Sequence, residues 1–302
     1  MIKYILVCIL VSARGHQAYG ASVDSEVHPN AGLLPVDACG EIEEKHLAEG
    51  PTAGLYEFPW IALISYDTRN GRDFKCSGTI INSRYILTAA NCITITNTIK
   101  IAGVRVGEYN KCASIDCHLD QCESHIQDIP VEETIIHENF TSHGNVDNNI
   151  GLLRLHDPID FTFKNVAPIC LPVSSALRSV SIDGKTATLA SFRNKFRNTN
   201  SCALNKISLP LVTRDECVKK YETSSKFPKI SVNHICADEK AGDGCGILSG
   251  DPLMLDVADE RRRRMVQYGL SSHGLKRCGT DYPGIYTDVS KYMDWILSNL
   301  KQ

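Results

Sequence analysis

The sequence predicts an all-β protein, a sandwich or barrel of short antiparallel strands finished by a C-terminal helix. Three observations predict it. From Glu57 onward, short β-rich runs such as WIALISY, SGTIINSRYILTAA, KIAGVRVGEY, IGLLRL, KTATLASF, KISLPLV and MVQYGL alternate with turn clusters. Helical periods are few, so no succession of strand–helix–strand units argues for a parallel sheet. Twelve of the thirteen cysteines lie beyond the first twenty residues, an even number that suits a disulfide framework in an oxidising compartment.

Taken in order, the chain begins with an export signal over residues 1–20. Lys3 supplies the positive start, Tyr4 to Val11 the apolar run, and small residues follow to Gly20. That run is too short for a membrane anchor, since a spanning helix needs about 20 apolar residues. Residues 21–46 form a polar extension with one cysteine, Cys39, and no helix or strand period. Residues 47–302 then make one large domain. Within it, Thr213 opens a short helix to Lys220. The end, Ser290 to Leu300, sets Tyr292, Met293, Ile296, Leu297 and Leu300 on one helical face. The run Arg261 to Arg264 reads as a solvated hairpin tip rather than a polyanion patch. A net charge of −3 gives no reason to expect nucleic acid as a partner. No pair of CxxC knuckles suggests zinc.

The segments EFPWIALISY…CSGTIINSRYILTAANC, DNNIGLLRL, APICLP, HICA, Asp243 to Leu253 and CGTDYPGIYTDVSKYMDWI occur in one order. Together they resemble the trypsin-like serine protease family over about residues 47–300. VRVGEYN, the clustered cysteines after it and QDIPVEETIIHENF are similar to arthropod CLIP-domain serine proteases and their inactive homologues. The resemblance implies a double antiparallel β-barrel with a C-terminal helix. One departure is plain: a CLIP module needs six cysteines of its own, and only Cys39 of the mature chain precedes the protease-like part.

Such a protease needs a nucleophilic hydroxyl, an imidazole to take its proton and a carboxylate to orient the imidazole. The family's TAAHC motif reads Thr88-Ala89-Ala90-Asn91-Cys92 here, so Asn91 stands at the base position. An amide does not titrate near neutral pH and cannot act as general base. The family's DIALL-like motif puts Asn149 where the carboxylate belongs. Ser249 keeps the nucleophile position, because Asp243 to Leu253 aligns without a gap to DSCxGDSGGPL. The oxyanion-hole glycine is Ile247, and the aspartate that pairs with the new amino terminus after activation is Leu248. At the junction, the family's R-IVGG becomes His46-Leu47-Ala48-Glu49-Gly50. Five changes to one mechanism imply a pseudoprotease rather than a misalignment.

By the same resemblance, Asp243, Gly274 and Gly284 mark the primary specificity pocket, expected here as a collapsed relic. Ser272 lies beside it, with His273 as a surface or groove residue. The implied disulfides are Cys39–Cys170, Cys76–Cys92, Cys217–Cys236 and Cys245–Cys278. Cys112, Cys117, Cys122 and Cys202 remain, and the sequence does not choose among their three pairings. Asn139-Phe140-Thr141 is a glycosylation sequon. Glu108 lies in a loop where some relatives bind calcium, but one acid contributes little toward the six or more oxygens that calcium takes; no cofactor is expected. The function expected is a secreted, non-catalytic regulator of an extracellular protease cascade in arthropod immunity or melanisation. Its partners would be other secreted proteins, active proteases or proenzymes among them, without nucleic acid or membrane. Two alternatives stand beside it: an active endopeptidase with a non-standard base, and a secreted salivary or venom-type binding protein on the same scaffold.

Overall fold

The structure, a computed structural model of the chain, describes residues 28–95, 99–141, 146–194, 199–222, 228–239, 248–258, 263–273 and 282–302. The expected export signal, Asp243, Cys245, Ile247, Gly274, Cys278, the expected Cys245–Cys278 bridge, Arg261, Arg262 and the His273 side chain lie outside the described residues.

The first half of the chain builds β1 (Ile61–Thr68), β2 (Gly71–Ile80), β3 (Tyr85–Thr88), a single-turn α1 (Ala90–Ile93), β4 (Lys100–Val106), the small hairpin β5 (Asp116–His118) and β6 (Gln121–Glu123), β7 (Gln127–Ile129), β8 (Val131–Ile136) and β9 (Gly151–Leu155). Seven of these strands form an antiparallel sheet in the order β7-β4-β1-β2-β3-β9-β8, curled into a nearly closed barrel. After the one-turn helix α2 (Ser175–Arg178) come β10 (Thr186–Asn194), β11 (Thr199–Val212), α3 (Arg214–Tyr221), β12 (His234–Ala237), β13 (Pro252–Ala258), β14 (Arg263–His273) and β15 (Gly284–Asp288). Strands β10-β11-β12-β15-β14-β13 close a second barrel. A 3-10 turn, Val289–Tyr292, leads into α4, Met293–Asn299. The expected double barrel with a terminal helix is what the chain forms.

Local chemistry explains the helices. Thr213 and Glu216 make a reciprocal capping box at the start of α3, a device worth about 1 kcal/mol. Asp288 accepts from the Ser290 N–H at 3.0 Å to start the terminal turn, and Met293, Ile296, Leu297 and Leu300 are buried in the main core. Burying each such side chain contributes roughly 1.5–3 kcal/mol, which docks a helix too short to stand alone. The barrels are joined by buried polar contacts as well as apolar ones. The Trp60 indole N–H donates to Met254 Sδ at 3.1 Å, and Thr79 Oγ1 donates to Gln267 Oε1 at 2.7 Å.

The bridges Cys39–Cys170, Cys76–Cys92 and Cys217–Cys236 form as expected. Of the open cysteines, Cys117 pairs with Cys122 across the β5–β6 hairpin, and Cys112 pairs with Cys202 on β11. The extension is held by more than its bridge. Its 3-10 turn, Pro29–Leu33, buries Ala31, and Leu34 joins it in the main core. Asn30 Nδ2 donates to the Leu297 and Leu300 carbonyls at 2.9 and 3.1 Å, capping α4 from outside. Arg264 corrects the reading of a solvated arginine tip. Its guanidinium turns onto the extension, reaching the Asp37 carbonyl at 3.3 Å and that of Val36, while Arg263 pairs with Asp256.

Lys45 is 64% exposed at the end of this extension, so limited trypsin should cut there. The products should stay joined by Cys39–Cys170 and separate only on a reducing gel. A fragment released without reductant contradicts the bridge.

Candidate functional site

Asn91, Asn149 and Ser249 converge where the two barrels meet. The short turn α1 follows β3 and is fixed by the Tyr66 hydroxyl, which donates to the Cys92 carbonyl at 2.8 Å. It projects Asn91 into the cleft. Asn149 precedes β9 and is aimed by its neighbour. Asn148 sits at φ +58°, a left-handed conformation that asparagine tolerates. The Tyr292 hydroxyl holds it there, accepting from the Asn148 N–H at 3.2 Å and donating to Asn148 Oδ1 at 3.0 Å.

Asn91 Nδ2 donates to Ser249 Oγ at 3.1 Å and to the Ser272 carbonyl at 3.3 Å. That carbonyl can only accept, so it fixes which end of the amide faces the serine. Asn149 Oδ1 accepts from the Asn91 backbone N–H at 2.9 Å. Its Nδ2 donates to the Ser272 carbonyl at 3.1 Å and to Ser272 Oγ at 2.9 Å. Asn91 Oδ1 is buried without a hydrogen-bond partner among the described residues. The geometry is that of a catalytic triad, and its chemistry is not. A donor faces the hydroxyl where proton abstraction needs an acceptor, and among the described residues no imidazole or carboxylate is hydrogen-bonded to Ser249 Oγ.

The turn carrying Ser249 is secured by a residue that the sequence reading passed over. Asp251, fully buried, stands at the second glycine of the family's SGG. Its Oδ2 accepts from the Leu248 N–H at 2.7 Å, and the Ser77 hydroxyl of β2 donates to Oδ1. The Ser77 N–H also donates to the Ser249 carbonyl at 3.1 Å. Between them, Gly250 sits at φ +90°, and a Cβ there would lie 1.9 Å from the Ser77 carbonyl oxygen. Only glycine fits. The available signal was Asp251 itself, a polar residue at a motif position that the family fills with glycine.

Leu248, at the position of the activation aspartate, is buried and offers no charge. The junction is also tied down. Ala48 donates its N–H to Glu57 Oε2 at 3.2 Å, while Lys206 Nζ donates to the Ala48 carbonyl and to Glu57 Oε1, each at 2.6 Å. Drawing the chain out at Ala48 would break its hydrogen bonds to both members of the Glu57–Lys206 ion pair, about 1.5–3 kcal/mol for each bond to a charged group.

Gly284 lies in β15 as expected, and its open face is taken. A Cβ there would meet Glu239 Oε1 at 1.8 Å, and Tyr286 donates to the same oxygen at 3.1 Å. Burial pushes the Glu239 carboxyl up to about 7, with Asp238 adding to the rise and the Tyr286 hydrogen bond opposing it. Asn139 is exposed, as a glycan acceptor must be. Glu108 is engaged by Arg105 Nη1 at 3.2 Å, and burial raises its pKa. Both oxygens of the adjacent Asp116 accept backbone N–H groups, from Tyr109 and Asn110 at 2.9 Å each. Among the described residues no three His, Cys, Asp or Glu side chains are grouped to hold a metal ion, and the oxygens near Glu108 do not fit calcium.

The family model for trypsin matches residues 48–296. The chain belongs to the trypsin family. It is 33% identical to the CLIP domain-containing serine protease HP8 of Bombyx mori over 93% of this chain and 77% of that protein. It is 34% identical to phenoloxidase-activating factor 1 of Holotrichia diomphalia over 89% of this chain and 74% of that protein. Among solved structures, the Drosophila Grass clip serine protease of the Toll pathway superposes with a TM-score of 0.73 at 28% identity, covering 86% of this chain and 73% of that one.

A carboxyl whose folded pKa is raised stabilises the fold below its unfolded value, and that contribution is lost as pH rises through about 7. The melting temperature should therefore fall between about pH 5 and about pH 8, by more than in Glu239→Gln, whose profile should be flatter. Parallel profiles for the two proteins would show that Glu239 is not buried as described.

Proposed function

We propose that the protein is a catalytically inactive serine protease homologue, secreted, that regulates an extracellular protease cascade of arthropod immunity or melanisation. One observation carries the reading: the group facing Ser249 Oγ is the Asn91 amide nitrogen, at 3.1 Å. Loss of the base alone costs about 10⁶ in turnover in a related chemistry, roughly 8 kcal/mol at about 1.4 per decade. Asn149 in place of the carboxylate, Leu248 without a charge for a new amino terminus, and Glu239 over Gly284 support the same reading. The described bridges, five in number, suit an oxidising, extracellular compartment. The cascade role is supported by the relatives, one named for phenoloxidase activation and one for the Toll pathway. A surface that retains a protease's outline without its chemistry can engage that protease's partners and leave them uncut.

Turnover of arginyl and lysyl peptide substrates should be absent, and any residual rate should survive Ser249→Ala unchanged. The double variant Asn91→His with Asn149→Asp should remain at least about 10²-fold below an active relative, because the oxyanion side is altered as well. Efficient, Ser249-dependent hydrolysis by the unmodified chain overturns the proposal. Near-normal rates in the double variant would show that Ile247 and Leu248 are no obstacle.

A further inference from the structure

Two surface features play no part in the catalytic remnant, and they complement each other. The first is a finger. The β5–β6 hairpin is clipped by Cys117–Cys122 and moored at its base to the second barrel by Cys112–Cys202. His118 packs edge-on against Tyr109, ring centroids 6.1 Å apart. At its tip Leu119 is 88% exposed at φ +54°. A turn that calls for glycine or asparagine thus holds a leucine, in a backbone region its side chain disfavours and with its apolar surface in water. Ile115 beside it is 54% exposed, and Asp120 is exposed at the tip.

The second feature is a hollow of about 830 Å³ between the extension, α2, the second barrel and α4. Leu171, Val173, Leu177 and Val266 supply apolar wall, and Arg178 and Arg264 lie in it. The Nε–H groups of both arginines are buried with no acceptor among the described residues; Arg178 Nη1 pairs with Asp294 at 3.0 Å, while Arg264 donates to the Val36 and Asp37 carbonyls of the extension. Asp37 and His28 complete its ionisable lining. Its volume falls within the range of ligand-sized pockets. None of its lining residues comes from the finger.

We propose that this hollow receives the Leu119 finger of a second copy of the chain. The apolar tip meets an apolar wall, and acidic Asp120 approaches Arg264, whose guanidinium makes no ion pair among the described residues. Because knob and socket lie on different parts of the surface, the contact is head-to-tail and leaves one of each free at the ends of an assembly. A single finger buries little area, so the association is weak, in the micromolar range. This inference goes beyond the proposed function and stands independently of the fate of Ser249.

Sedimentation velocity tests it, up to about 100 µM, a range in which micromolar association registers. The native chain should show species larger than a monomer, growing with concentration. Leu119→Asp removes the knob. Gly32→Phe fills the socket, since Gly32 lines it and a Cβ there meets nothing within 4 Å. Each variant alone should be monomeric. Their equimolar mixture should form a one-to-one dimer and nothing larger, one donating the intact finger and the other the intact socket. Leu119→Gly should also abolish assembly while raising the melting temperature, because it relieves the left-handed leucine. A native chain monomeric throughout, a mixture that stays monomeric, or assembly surviving Leu119→Asp overturns the proposal. So does a lowered melting temperature for Leu119→Gly, which would make the leucine a packing residue.

Discussion

The buried carboxylate of Asp251 is the constraint on which the cleft depends. A carboxylate without solvent contact is tolerable only when its oxygens are satisfied. Here one accepts from the Leu248 N–H and the other from the Ser77 hydroxyl. The first bond closes the turn that holds Ser249, and the second anchors that turn to β2 of the other barrel. Ser249 is therefore held facing Asn91 by a contact between barrels as well as by the Asn91 amide itself. A trypsin-like fold usually orders this region with a charge delivered by cleavage. In this chain Asp251 and Ser77 supply a brace within the uncut chain, next to a position, Leu248, that has no charge to offer.

The amide pair follows from the same logic. Asn91 and Asn149 are near in shape to the groups the family places there, and they share one carbonyl, that of Ser272. The network keeps the cleft's shape while replacing every acceptor that proton transfer requires by a donor or a neutral group. The unpartnered Oδ1 of Asn91 is the residual cost of fitting an amide where an imidazole would satisfy both of its nitrogens. Glu239 occupies the space over Gly284 much as Asn91 occupies the space beside Ser249.

The barrels, the three bridges set by family position, the capped helix at Thr213 and the asparagine substitutions were legible in the sequence, because each rests on a local pattern or on a motif read in order. The rest depended on distance in space. Cys112, Cys117, Cys122 and Cys202 pair as they do because a hairpin brings Cys117 to Cys122 and β11 carries Cys202 past Cys112, and spacing alone does not encode that. Ser77 and Asp251 are 174 residues apart, and Asp251 reads singly as a lapse in a glycine motif. Glu239 is an unremarked acid until β12 and β15 pair and bring it over Gly284. Arg264 reads as solvated until the extension folds beneath it.

The central claim is that nothing activates the Ser249 hydroxyl. An active-site phosphonate reports this directly, since its covalent capture requires an activated serine and no particular peptide sequence. Intact-protein mass spectrometry should show no adduct above the level of Ser249→Ala, under conditions that label an active trypsin-family enzyme completely. Stoichiometric modification mapped to Ser249 would contradict the account.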